Sequence, residues 1–255
     1  MKFNGVAAKT IAVTGTTFIT ATVPAGATDG FVTVTTGTTT LSSLNKFIVH
    51  NSWASGTAIP TAVAGAASGV IGGKVYLVGG FAAQGGAPVS NTQIYDPIAN
   101  SWTTGAAMPT LVFGAASAVV NGLLYVIGGY EGAAKTASNL VQIYNPAKNT
   151  WTSGAAMLTA RGSAAAAVDA NAIYVVGGNG STPRLKNVEK YVPSTNTWTE
   201  EAPLLVGKSE STAGLLGSTI VSADGYSSSG DTGDNDRSGG TLGELPPLTA
   251  VTRPV

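Results

Sequence analysis

Residues 74–80 read KVYLVGG, residues 123–129 read LLYVIGG and residues 172–178 read AIYVVGG. Each is a short apolar run carrying a tyrosine three residues before a closing diglycine. Bounded by turn residues and too short for a helix, such a run reads as a buried β-strand. Its return at a fixed distance identifies a repeat with a period near 50 residues, the signature of stacked or radial units. The tryptophans keep the same beat: Trp53, Trp102, Trp151 and Trp198 are separated by 49, 49 and 47 residues. A second tyrosine recurs in QIYDP, QIYNP and EKYVP, at Tyr95, Tyr144 and Tyr191, always seven residues before the next tryptophan. The interval from diglycine to this tyrosine is the one that varies, 15, 15 and 13 residues, which marks a surface loop. In a fourth unit Asp224 and Gly225 take the place of the diglycine.

Each unit resolves into four short strands: an Ala/Ser/Val strand such as GAASAVV, the Tyr-diglycine strand, the Tyr-x-Pro strand and the Asn-x-Trp strand. Pro97, Pro146 and Pro193 end the third, since proline donates nothing to a ladder. Asn100, Asn149 and Asn196 suit the tight turn that follows. Over about 175 residues the pattern resembles the bacterial kelch motif, with its diglycine, its third-strand Tyr and its fourth-strand Trp. The resemblance implies an all-β fold, a partial kelch-type β-propeller of three complete four-stranded blades plus parts of others. The family often carries Arg near the start of the first strand. Here Arg161 matches, while Val63, Val112 and Lys208 stand there in the other units.

The ends differ in texture. Residues 1–49 alternate in FITATVP and FVTVTTG as half-buried antiparallel strands do. With FNGV and NKFIV, they resemble the second half of an IPT/TIG domain, an immunoglobulin-like sandwich common in surface proteins. A complete sandwich of that kind takes roughly 80–100 residues, so Met1 reads as an internal start or a gene-model edge. At the other end the repeat calls for a Tyr-x-Pro strand near residue 240 and a tryptophan near 247, and neither arrives. Residues 238–255, SGGTLGELPPLTAVTRPV, read as an irregular tail. The expected organisation is therefore 1–49 sandwich fragment, 50–237 propeller blades and 238–255 tail. An open ring would present unpaired blade edges, through which copies could associate.

Thirteen basic side chains balance thirteen acidic ones, so no net field draws the chain to nucleic acid or an anionic membrane. No segment is long and apolar enough to cross a membrane as a helix. The chain has no cysteine and one histidine, His50. The propellers that resemble galactose oxidase need two histidines and a Tyr–Cys pair, and sialidase-like propellers need an arginine cluster with an acid. Asp231, Asp234 and Asp236 offer oxygen ligands without the spacing of a calcium loop, so no metal or cofactor is expected. The repeated Trp, Tyr and Gly residues read as packing.

Ligand contact is expected on loops held by the rigid blades, with Tyr130, Glu131, Arg161 and Arg184 as candidates. The implied function is an extracellular or cell-surface binding module for a glycan or a protein, and not an enzyme. The alternative is a fragment of a carbohydrate-active or oxidase propeller whose catalytic residues lie in blades absent from this chain.

Overall fold

A computed structural model of the protein describes residues 1–14, 18–24, 26–49, 55–82, 86–217, 219–223, 225–227, 230–231 and 235–237. His50, Trp53, Asp234 and the segment 238–255, each the subject of an expectation above, lie outside them, as do the side chains of Asp231 and Asp236. Every regular element among the described residues is a strand. The chain divides into two compact units, Met1–Gly56 and Thr57–Val255.

In the first unit a four-stranded antiparallel sheet runs in the order Val6–Ala7, Lys2–Phe3, Val32–Thr36, Thr39–Ser42. A separate hairpin pairs Ile11–Thr14 with Phe18–Ala21. The Phe3 ring meets the Phe47 ring edge-on at 5.0 Å, and Asp29 Oδ1 accepts the Val49 amide at 2.7 Å.

In the second unit each repeat forms one blade, a four-stranded antiparallel meander. Blade 1 comprises Ala67–Ile71, Lys74–Val78, Thr92–Asp96 and Ser101–Thr104. Blade 2 comprises Ala116–Val120, Leu123–Ile127, Val141–Asn145 and Thr150–Gly154. Blade 3 comprises Ala165–Asp169, Ala172–Val176, Val188–Val192 and Thr197–Glu201. A fourth sheet holds Thr212–Leu216, Thr219–Ala223 and Asn235–Arg237. Its third strand lies close to residue 240, where the spacing calls for one but the Tyr-x-Pro motif does not arrive. It pairs Asp236 with Ser222, as Glu189 pairs with Val175 in blade 3, so the strand keeps its register although the Tyr-x-Pro motif is gone.

Alternation along each second strand supplies both neighbours with apolar surface. Tyr76 and Val78 face blade 2, meeting Leu124 and Val126. Tyr125 and Ile127 face blade 3, meeting Ile173, Val175 and Tyr191. Tyr174 and Val176 pack with Ile220 of the fourth sheet. Leu124 and Ile173 are wholly buried, each worth roughly 1.5–3 kcal/mol by removal from water.

The recurring Tyr, Asn and Trp form a clasp between blades. Asn149, held at φ 50°, accepts from the Tyr144 hydroxyl at 2.6 Å and from the Ala106 amide at 2.6 Å. Trp151 lies tilted against Tyr144, ring centroids 5.0 Å apart, and donates its indole N–H to the Ala106 carbonyl at 2.9 Å. The outer edge of blade 2 thereby grips the segment leaving blade 1. Asn196, Tyr191 and Trp198 repeat this on Ala155, and Asn100, Tyr95 and Trp102 on Thr57. The diglycines are required for two reasons. Gly79 and Gly80 sit at φ 65° and 83°, and a β-carbon on either would come within 2.6 Å of the carbonyl oxygen of Val112 or Ala64.

Candidate functional site

Antiparallel order sends the loop before each first strand and the loop between second and third strands to the same end of a blade. Backbone pairs join them there: Ala64 with Phe81, Phe113 with Tyr130, Gly162 with Asn179, Ser209 with Tyr226. One residue per blade also links this face laterally. The Gly114 amide donates to the Gly65 carbonyl at 2.8 Å, Ser163 to Gly114 at 2.7 Å, and Glu210 to Ser163 at 2.9 Å. All four are left-handed, at φ 64°, 60°, 51° and 56° in chain order. Blades 1 and 2 fill this place with glycine. Ser163 and Glu210 adopt the same backbone despite their β-carbons, and such strain persists only where the surroundings enforce it.

On this scaffold three half-buried rings lie side by side. Phe81 meets Phe113 edge-on at 5.2 Å, and Phe113 meets Tyr130 at 5.3 Å. The Tyr130 ring lies against Gly162, leaving no room for a β-carbon there. Gly162 exchanges backbone hydrogen bonds with Asn179 at 2.9 and 2.8 Å, and Asn179 Oδ1 accepts the Arg184 amide at 2.8 Å. Tyr130, Gly162, Asn179 and Arg184 thus form one continuous path from blade 2 to blade 3. Glu131 is half-buried, in backbone register with Val112.

Arg161 is placed differently from its expected position on a loop surface. It is wholly buried beneath the face and ion-paired with Glu189, itself 1% exposed. Its Nη1 donates to the carbonyls of Gly177 at 3.2 Å and Asn187 at 2.9 Å, the two roots of the blade 3 loop that carries Arg184. Its Nε donates to the Thr159 carbonyl at 3.3 Å. Burial works to lower the guanidinium's pKa, and Glu189 opposes that by holding it charged. Arg161 is therefore a positioning residue for the loop.

Blades 1 and 2 reach the same end by neutral means. Gln142 accepts the Thr110 amide and donates to the Thr110 carbonyl, both at 2.8 Å, and Gln93 does the same to Thr61 at 2.8 and 2.9 Å. In blade 3 the Thr159 amide goes to Glu189 at 3.1 Å and its carbonyl to Arg161. Val112 with Gln142 has been exchanged for Arg161 with Glu189. Reading by motif found Arg161 but missed its partner Glu189, along with Phe81, Phe113, Ser163 and Glu210. The signal for all of them is the residue that changes when the repeats are laid over one another. No group of three or more His, Asp or Glu side chains placed to hold a metal occurs among the described residues.

The sequence profile of the KLHDC2/KLHL20/DRC7 Kelch-repeats domain matches residues 44–225. No curated protein matches the chain. Among solved structures, that of YjhT is similar, with a TM-score of 0.60 and 20% identity, over 72% of this chain and 64% of that one. At that identity the likeness speaks for the fold alone, and the chain spans less than two thirds of that protein's length. The profile match runs through all three complete blades into the fourth sheet, over well over half of the sequence, and the chain belongs to the kelch-repeat family of β-propeller domains.

Proposed function

We propose that the chain is a non-catalytic binding module that holds a glycan or a protein on the loop face of blades 2 and 3. The observation that carries this is the coincidence, on one face, of a laterally bonded backbone with three half-exposed aromatic rings. A fixed backbone lowers the entropic cost of binding, and aromatic rings supply large contact area with few torsions to freeze. Tyr130, Glu131 and Arg184 contact the ligand, and Arg161 keeps the Arg184 loop in place. Catalysis would need a nucleophile or a base held by supporting partners. The described loop face offers carboxylates and hydroxyls with no histidine or cysteine beside them, in a chain with one histidine and no cysteine. The immunoglobulin-like pattern of residues 1–49 favours a place at the cell surface.

The test is a binding screen of glycans and surface proteins run beside hydrolase and oxidase assays. Tyr130→Ala and Glu131→Ala should abolish retention of any captured ligand while tryptophan emission stays native. Turnover of a sugar, abolished by one loop substitution, would overturn the reading.

A further inference from the structure

Each blade packs on the next through a fixed set of positions, and at the two ends of the series those positions stand open. The first strand carries a small residue at its centre, in order Gly69, Ala118, Ala167 and Gly214. In blade 1 this makes a hole for the following blade, since a β-carbon on Gly69 would come within 2.6 Å of Val119 and 2.8 Å of Leu124. Ala118 and Ala167 are buried in the next two interfaces. Gly214 holds the same register, opposite Val221 as Gly69 is opposite Tyr76, yet nothing lies within 4 Å of the place its β-carbon would take. Thr212 and Leu216, on the same side, are exposed, while Ala213 between them packs toward blade 3.

The side chains that fill the hole recur as well. Val119 and Leu124 are a cross-strand pair, matched by Val168 with Ile173 in blade 3 and by Val70 with Val75 in blade 1. Leu124 and Ile173 are wholly buried, whereas Val70 is 63% exposed and Val75 half-buried. The lateral backbone ladder is open in the same sense. Every amide in it donates to the carbonyl of the blade before, Gly114 to Gly65, Ser163 to Gly114 and Glu210 to Ser163. An amide is left over at Gly65 and a carbonyl at Glu210, both on exposed residues and both without a partner among the described residues. A blade added after the fourth sheet would have to bring a backbone donor and a pair of apolar side chains, which is what blade 1 carries.

We infer that the fourth sheet seats blade 1 of a second copy of the chain, with Val70 and Val75 over Gly214 and the Gly65 amide on the Glu210 carbonyl. The contact joins sheet faces and repeats the packing between blades within one chain. A second copy fits better than an unrelated protein, because hole, filling pair and ladder ends match position for position within one sequence. The contact is heterologous, and contacts of that kind either close into a ring or run on as a filament. Propeller rings hold about four to eight blades. Two copies supply twice the four sheets of one chain, which reaches that limit, and a third copy would exceed it. The pair therefore closes by making the contact twice.

The experiment is sedimentation velocity of the full chain over a wide range of concentration, where an equilibrium between one copy and two is expected. Gly214→Phe overfills the hole and Val70→Asp puts a charge on the side chain that enters it, so each should weaken pairing about tenfold or more. Both positions are exposed within one chain, so urea melts followed by tryptophan emission should stay native. Mixing the two variants is decisive. The fourth sheet of Val70→Asp and blade 1 of Gly214→Phe are both intact, so the mixture should form a pair held by one sound contact, where each variant alone has none. A chain that stays single at every concentration overturns the inference, as does pairing that survives both substitutions or growth beyond two copies. Pairing lost in Gly214→Phe but kept in Val70→Asp also overturns it, since the fourth sheets would then be joined to each other. Should either variant melt early, amide exchange of the wild type carries the test. Residues 64–70 and 210–216 should gain protection together as concentration rises, and protection indifferent to concentration counts against the pair.

Discussion

Arg161 and Glu189 should behave as a unit that blade 2 shows how to replace. Both are enclosed, at 0% and 1% exposure. Removing one partner of a buried ion pair costs about 3–5 kcal/mol, because the other charge stays behind uncompensated. Arg161→Val should fall at the lower end of that range, since Glu189 keeps the amides of Leu158 and Thr159 at 2.8 and 3.1 Å. Glu189→Gln should fall at the upper end, since the guanidinium is left with neutral carbonyl oxygens alone. The double variant Arg161→Val/Glu189→Gln recreates Val112 with Gln142, whose side-chain amide satisfies both backbone groups of one threonine. It should lie within about 1 kcal/mol of wild type, where simple addition of the two singles would give a loss of about 8 kcal/mol. Urea denaturation followed by tryptophan emission measures all four proteins. A double variant as unstable as the sum of the singles would refute the equivalence of the neutral and charged arrangements.

Other perturbations test other parts of the account. Gly122→Ala and Gly128→Ala both put a β-carbon on left-handed backbone, at φ 72° and 66°, but only the second meets an atom, the Arg161 carbonyl oxygen. The first should cost about 1–2 kcal/mol, and the second distinctly more in the same melts. Asn149→Ala removes the acceptor for both Tyr144 and Ala106, a loss of about 2 kcal/mol at roughly 1 per bond. Trp151→Ala removes a half-buried ring with its contact to Tyr144 and its bond to Ala106, and should cost about 3 kcal/mol, the low end for an aromatic truncation. In amide exchange, Arg161→Val/Glu189→Gln should loosen residues 178–187 and leave the strands of blade 2 protected, because the double variant restores the tie to Thr159 but not those to Gly177 and Asn187.

The blades were readable because one residue type recurs in register for one physical reason. Tyr76, Tyr125 and Tyr174 each face the following blade, and a side chain needed once per interface leaves a period in the chain. The fourth sheet was only half readable, since its third strand is set by pairing with Thr219–Ala223 and not by a tyrosine. The candidate site was harder, because function sits where repeats differ. Arg161 stands in a segment that reads as loop, yet the exchange of Gln142 for Glu189 in the matching strand shows that its charge is answered inside the protein. Ser163 and Glu210 were hidden by glycine at 65 and 114, which reads as an ordinary turn until the lateral hydrogen bonds are seen.

The central claim, that the loop face is where this protein binds, is tested most directly by amide-exchange footprinting with a captured ligand. The account predicts added protection at residues 130–131, 162–163 and 179–185. Protection confined instead to the opposite end of the blades, at the turns around residues 72–73, 121–122 and 170–171, would contradict it.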